Sequence, residues 1–155
     1  MRVTVMTDAS HDPRFHAGGY GYWVAGPRGR LAGGGPFKGE VAHATLAEIM
    51  AICNALHAGL RAGLIGEGDA VLIQSDCEAA MAYLQGRGKT VKKHPEPLAV
   101  YQRLVSRAAL TVAFRHVSAH TGAQDPRSLA NAHCDRRAKA GMRKARERNR
   151  QSAHP

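Results

Sequence analysis

The sequence predicts an α/β fold built on a five-stranded mixed sheet, three antiparallel strands first and parallel strands after, flanked by helices. Three observations carry this. Strand alternation punctuated by glycine and proline fills the first 38 residues, apolar spacing then changes to threes and fours after Ala44, and two later strand runs alternate with helical patterns. At 155 residues the chain suits one domain, able to bury roughly two-thirds of the surface its unfolded form exposes.

The first strand, VTVMTDAS over residues 3–10, alternates into an acidic end and so delivers Asp8 to the rim of a sheet, where ligands of open α/β sheets bind. HDPRFHAG follows as a loop. AGGYGYWVAG resumes the strand pattern, and Pro27-Arg28-Gly29 turns it back into RLAGGGPFKG, so residues 1–38 read as sequential antiparallel strands. The glycines there weaken the strands and mark bulges or close backbone approach. From Ala44 to about Ala62, the residues Leu46, Ile49, Met50, Cys53, Leu56 and Leu60 recur at the spacing of an amphipathic helix. Glu48 sits about 130° from the centre of that stripe, on its flank. Asp69 to Ser75 is a strand that ends, like the first, on an acid, Asp76. CEAAMAYLQ reads as a short helix, GRGKTVKKHPEP as a basic loop, and Leu98 to Ala109 as another helix. TVAFRHVSAH is the fifth strand and SAHTGAQDP a loop. The last helix runs from about Ser128 into a basic tail, residues 143–155, that is expected to fray away from the domain formed by residues 1–142.

Lys and Arg number 22 against 12 Asp and Glu, a formal net charge of +10, which favours a polyanion as partner, nucleic acid first. The cations concentrate at Arg87, Lys89, Lys92 and Lys93 and again from Arg136 to Arg150, where almost no acid accompanies them. Backbone phosphates suit such runs. A membrane partner is not expected, because the chain lacks both a run of about 18 apolar residues and a basic amphipathic helix with large apolar anchors. The first residues enter a strand pattern at once, without a secretory signal, so a cytoplasmic protein is expected. Cys53, Cys77 and Cys134 are too few and too far apart for a disulfide framework and read as reduced.

Asp8, Glu48, Asp76 and Asp135 lie at two strand ends, on a helix flank and near the start of the final helix, positions from which acids can converge. Oxygen-only ligands suit Mg²⁺ or Mn²⁺, and two such ions about 4 Å apart clamp the attacking and leaving oxygens of a phosphodiester. Four unconnected surface acids is the alternative. A zinc site drawn from His116, His120, His133 and Cys134 is disfavoured, since no second cysteine pair closes it and adjacent residues bite poorly on one tetrahedral ion.

The ordered set TDAS with GGYG, the glutamate of AE at Glu48, SD at Asp76, VSAHTG and NAHCD resembles type 1 ribonuclease H, over the span from Arg2 to about Met142. The resemblance implies an RNase H-like fold, with Asp8, Glu48, Asp76 and Asp135 as metal-binding acids and His120 as a mobile loop histidine that handles protons. It further implies hydrolysis of the RNA strand of RNA/DNA hybrids with two Mg²⁺ ions, Mn²⁺ being possible. Ser10, Thr45, Lys89, Lys92, Lys93 and Asn131 are the implied substrate contacts. A monomer with no protein partner is expected. The chain departs from the family pattern at Ala44 and Thr45, at Cys77 and Glu78, in lacking a separate basic helix as substrate handle, and in a long span between His120 and Asp135. Two rival functions stand beside this one: a nuclease of the same fold acting on DNA junctions, and a non-catalytic basic module that binds hybrid or duplex.

Overall fold

The computed structural model describes residues 1–118 and 125–153. Its elements are β1 (Arg2–Asp12), β2 (Ala17–Gly26), β3 (Gly29–Pro36), α1 (Ala44–Arg61), β4 (Ala70–Ser75), α2 (Glu78–Leu84), α3 (Lys89–Lys93), α4 (Pro95–Arg107), β5 (Thr111–His116) and α5 (Pro126–Ala153). The sheet order is β3-β2-β1-β4-β5. β1, β2 and β3 pair antiparallel, while β4 pairs parallel to both β1 and β5, which is the expected five-stranded mixed sheet.

Alternation along the strands sends Val3, Val5, Val24, Val71 and Ile73 to one face, where Ile49, Ile52 and Leu56 of α1 meet them in the main core. Each such side chain, fully buried, contributes about 1.5–3 kcal/mol. α1 starts at His43, whose extended backbone and Nδ1, accepting from the Leu46 amide at 3.3 Å, do the work usually given to Ser, Thr, Asp or Asn. On the same side the buried Tyr83 hydroxyl of α2 donates to the His94 carbonyl and accepts from the Leu98 amide at 2.9 Å, fixing the start of α4. At the sheet's lower end, the buried Asp69 carboxylate receives Arg28 at 2.5 Å and the Gly66 amide at 2.8 Å. The Arg28 hydrogen bond, then that of Gly66, holds Asp69 well below the usual carboxylate range.

The opposite face is covered differently. α5 crosses β2 and β3 so closely that glycine is required at the crossing: a Cβ on Gly19 would land on the backbone of Ala138, Gly141 and Met142, one on Gly21 on the Cys134 carbonyl, and one on Gly141 on the Gly35 carbonyl. The GGYG stretch is therefore a seat for a helix. Beside it a small cluster of Met6, Ala130 and Cys134, with Trp23 packed against it, holds the N-terminal part of α5 to β1, and the Cys134 thiol donates to the Met6 carbonyl at 3.5 Å.

Three expectations are corrected. β1 does not end near Asp8 but runs on through His11 and Asp12, paired with Gly18 and Ala17 of β2; only its pairing with β4 ends early, at Met6 opposite Gln74. The basic loop after α2 contains a helix, α3, which carries Lys89, Lys92 and Lys93 on an exposed turn. The residues after Met142 continue α5 to Ala153 instead of fraying. Arg148 donates to the Phe37 carbonyl at 2.8 Å, Asn149 to that of Phe15 at 2.9 Å, and Arg146 pairs with Asp12 at 3.5 Å. These side chains are anchored to the end of β1, to the β1–β2 loop and to the stretch after β3, so the helix keeps a reason to stay wound. No helix among the described residues is long and apolar enough to cross a membrane.

Gly19→Ala should destabilise the protein by about 1–3 kcal/mol or more, because the methyl group meets backbone that cannot rotate away. Gly35→Ala, whose Cβ meets nothing within 4 Å, should change little. Urea denaturation of both variants decides, and equal midpoints would contradict the close crossing of α5.

Candidate active site

Asp8 stands on β1 two residues beyond the last rung shared with β4, and Asp76 immediately follows the end of β4. The two acids therefore flank the point where the parallel ladder stops. Glu48 reaches them from the second turn of α1, whose flank overhangs that end of the sheet. One carboxylate oxygen from each of Asp8, Glu48 and Asp76 lies within 4.8 Å of the others. The turn after β4 is shaped by the buried Ser75 hydroxyl, which accepts from the Cys77 amide at 3.1 Å, and by His116 Nε2, hydrogen-bonded to the Asp76 carbonyl at 3.2 Å.

The site crowds three carboxyl groups into a partly buried corner of the fold. Asp8 is only 6% exposed; burial first, then the charge of Asp76, pushes it up to about 7 against the lowering effect of the Ala9 amide, which donates to Asp8 Oδ1 at 2.9 Å. Glu48 is pushed up to about 9, by burial first and then by Asp8 and Asp76. Its Oε2 is buried and meets no hydrogen-bond partner among the described residues. Crowded hard oxygens, an orphaned buried acceptor and carboxyls that resist ionising together are what a divalent cation relieves, so the residues fit Mg²⁺ or Mn²⁺.

Asp135, on α5, is placed beside Asp8 and contributes to its raised value. Its Oδ2 also holds Lys139 Nζ at 3.1 Å, one turn along the helix, and it is not one of the three acids gathered within 4.8 Å. Ser10 lies on β1 opposite Gly19, and Thr45 in the first turn of α1, three residues before Glu48. Lys89, Lys92 and Lys93 are exposed on α3. Asn131 is buried on α5, at a hollow of about 460 Å³ also lined by His116, Ser118 and Arg127. His120 lies outside the described residues. The zinc alternative gathers no ligand set among the described residues: His133 packs edge-on against Trp23, its ring centre 5.6 Å away, and Cys134 is spent on the Met6 carbonyl.

Sequence reasoning missed a histidine group at the start of α1. His43 and His94 rings meet at 5.4 Å, and His11 Nε2 donates to the Val41 carbonyl at 2.7 Å. Burial first, then His94, His11 and Lys93, lowers the His43 value. Its signal was a cap: a hydrogen-bonding side chain just ahead of an apolar helical run.

A family model described as RNase H matches residues 1–143. Among solved structures, the chain is similar to RNase H1 from the halophilic archaeon Halobacterium salinarum NRC-1, at 19% identity and a TM-score of 0.69, over 94% of this chain and 100% of that one. It is similar to the N-terminal RNase H domain of rv2228c from Mycobacterium tuberculosis, solved as a fusion with maltose binding protein, at 19% identity and a TM-score of 0.67, over 98% of each chain. LC11-RNase H1, solved in complex with an RNA/DNA hybrid, aligns at 20% identity and a TM-score of 0.69, over 92% of this chain and 98% of that one. No curated protein sequence matches significantly. At such identities the structural likeness establishes the fold.

Glu48 takes its proton near 4.5 when unperturbed and near 9 in the fold, so the folded state holds a proton that the unfolded chain releases, and stability falls as pH rises through that window. Glu48→Gln removes the penalty. Without divalent cations, the variant should melt above the parent at pH 8, by about 2–4 °C for each kcal/mol relieved, and the two should converge below about pH 4. Parallel curves of Tm against pH would contradict the buried, crowded carboxyl.

Proposed function

The chain belongs to the RNase H family, and from that membership we infer that it hydrolyses the RNA strand of RNA/DNA hybrids at the Asp8, Glu48 and Asp76 cluster. The observation that carries the reading is the convergence of these three carboxylates within 4.8 Å, with a buried Glu48 oxygen left unpartnered among the described residues. Asp8, Glu48 and Asp76, with Asp135 beside them, would hold two Mg²⁺ or Mn²⁺ ions. Bound cations supply Lewis acidity at the phosphodiester and a nucleophile at neutral pH.

The protein's own share is placement and charge. Asp8 is held by the backbone of β1, Asp76 by the turn that closes β4, and Glu48 by a helix whose buried stripe fixes its rotation, so the three acids need little reorganisation. Lys89, Lys92 and Lys93 attract phosphates and carry no sequence preference. Ser10, Thr45 and Asn131 offer hydroxyl and amide groups for sugars and phosphates, and 2′-hydroxyl contacts in the shallow minor groove would distinguish RNA from DNA. His120 would take or give a proton during turnover. The hybrid bound to LC11-RNase H1 supports this substrate class by likeness of fold. Action as a cytoplasmic monomer belongs to the same reading.

Labelled RNA/DNA, DNA/DNA and RNA/RNA duplexes incubated with Mg²⁺ test it. Only the RNA strand of the hybrid should be cut; cleavage of DNA duplex at a similar rate would favour a DNA nuclease, and no cleavage at all a binding module. Asp76→Asn should lower the rate roughly 10³-fold or more while hybrid binding holds, because the amide keeps the shape and loses the charge. His120→Ala should slow turnover about 10²- to 10⁴-fold without releasing metal.

A further inference from the structure

α5 begins at Pro126 and covers only the upper part of its sheet face. Below it, the rows that run across Thr4 and Leu72 form, among the described residues, an open groove of about 470 Å³. Four arginines line this groove, Arg2 from β1, Arg30 from β3, Arg115 from β5 and Arg127 from α5, and no Asp or Glu does. All four are exposed, and none of their guanidinium groups pairs with a described residue. Its floor carries the half-buried ring of Trp23 and the side chain of Gln74, which is 7% exposed and whose Oε1 meets no hydrogen-bond partner among the described residues. The groove follows the β1–β4 ladder up to its last rung, Met6 opposite Gln74, and the catalytic acids Asp8 and Asp76 stand two residues past that rung.

We propose that this open sheet face is a second nucleic-acid site, which takes single-stranded nucleic acid across Trp23 between the four arginines. A planar aromatic ring flanked by unpaired guanidinium groups is the arrangement that holds single strands, bases on the ring and phosphates on the cations. Gln74 supplies an unmatched acceptor at the floor, which a base N–H can meet. A groove of about 470 Å³ has room for a base or two laid on the ring and not for a paired helix, so the site differs in substrate from the carboxylate cluster. A nuclease acting on a hybrid then has a place for the unpaired strand that adjoins it.

Trp23 is the sole tryptophan, so the protein's tryptophan fluorescence comes from the floor of this groove. Titration of the full chain with a 16-residue oligothymidylate, in low salt without divalent cations, should quench it, in step with the rise in anisotropy of a labelled oligonucleotide. Arg30→Ala/Arg115→Ala should weaken that binding about tenfold or more and reduce the log–log salt slope by about 1.4, since a single-strand phosphate contact contributes about 0.7. Cleavage of a short blunt RNA/DNA hybrid and the melting temperature should stay as in the parent. Binding without Trp23 quenching, or an unchanged affinity and slope in the double variant, would overturn the proposal. Polyglutamate of matched charge that quenches as tightly as the oligonucleotide would overturn it too, in favour of an acidic protein partner. Failure of hybrid cleavage in the parent bears on the carboxylate site alone, because the quenching needs no cleavage.

Discussion

The backbone-to-backbone crossing of α5 over β2 and β3 is the constraint on which the rest of the structure depends. Four positions must be free of side chains for it: Gly19, Gly21, Gly34 and Gly141 each sit where a Cβ would enter the opposing backbone or, at Gly34, that of β2. Once that crossing is set, Asp135 is delivered to Asp8, Cys134 to the Met6 carbonyl, and Arg146, Arg148 and Asn149 to Asp12, Phe37 and Phe15 at the end of β1, after β3 and in the β1–β2 loop. Among the described residues, the same crossing leaves the lower part of the sheet face uncovered, with its arginines exposed. One packing decision thus shapes both the carboxylate site and the open groove.

Opposed to it stands α1, whose interior contacts are almost wholly apolar. Its buried stripe fixes the helix's rotation, and Glu48, on the flank of that stripe, has nowhere to go but over the end of the sheet. The protein thereby holds an unfavourable arrangement, three crowded carboxyl groups of which Asp8 is buried and the other two half-buried, by means of favourable packing elsewhere. The raised values of Asp8 and Glu48 measure that conflict. A divalent cation bound by these acids would turn the conflict into binding energy, so that a stable scaffold could maintain a site that is destabilising on its own.

Much of this was legible in the sequence, because periodicity reports burial. The bounds of β2 and α1, the sheet of five strands and the acids closing the β1–β4 ladder all follow from patterns of two and of three to four. What failed had distant causes. β1 continues past Asp8 because β2 offers glycine partners, and no local pattern in HDPRF announces that pairing. Residues 143–153 look like a solvated tail by charge, yet Ala145 is fully buried and Arg148 reaches a carbonyl 111 residues away. α3 forms inside a stretch whose glycines and prolines read as loop. Glu48 was placed correctly on its helix but not in direction, which depends on how α1 lies across the sheet. The groove was invisible, since Arg2, Arg30 and Arg115 come together only through the register of three separate strands.

The central claim, that Asp8, Glu48 and Asp76 together hold divalent cations, is tested most directly by crystals soaked in MnCl₂ and measured near the manganese absorption edge. The account predicts anomalous density between these three carboxylates and extending toward Asp135. Manganese bound elsewhere, at His116 or His133 for instance, with the three acids bare at saturating ion, would contradict it.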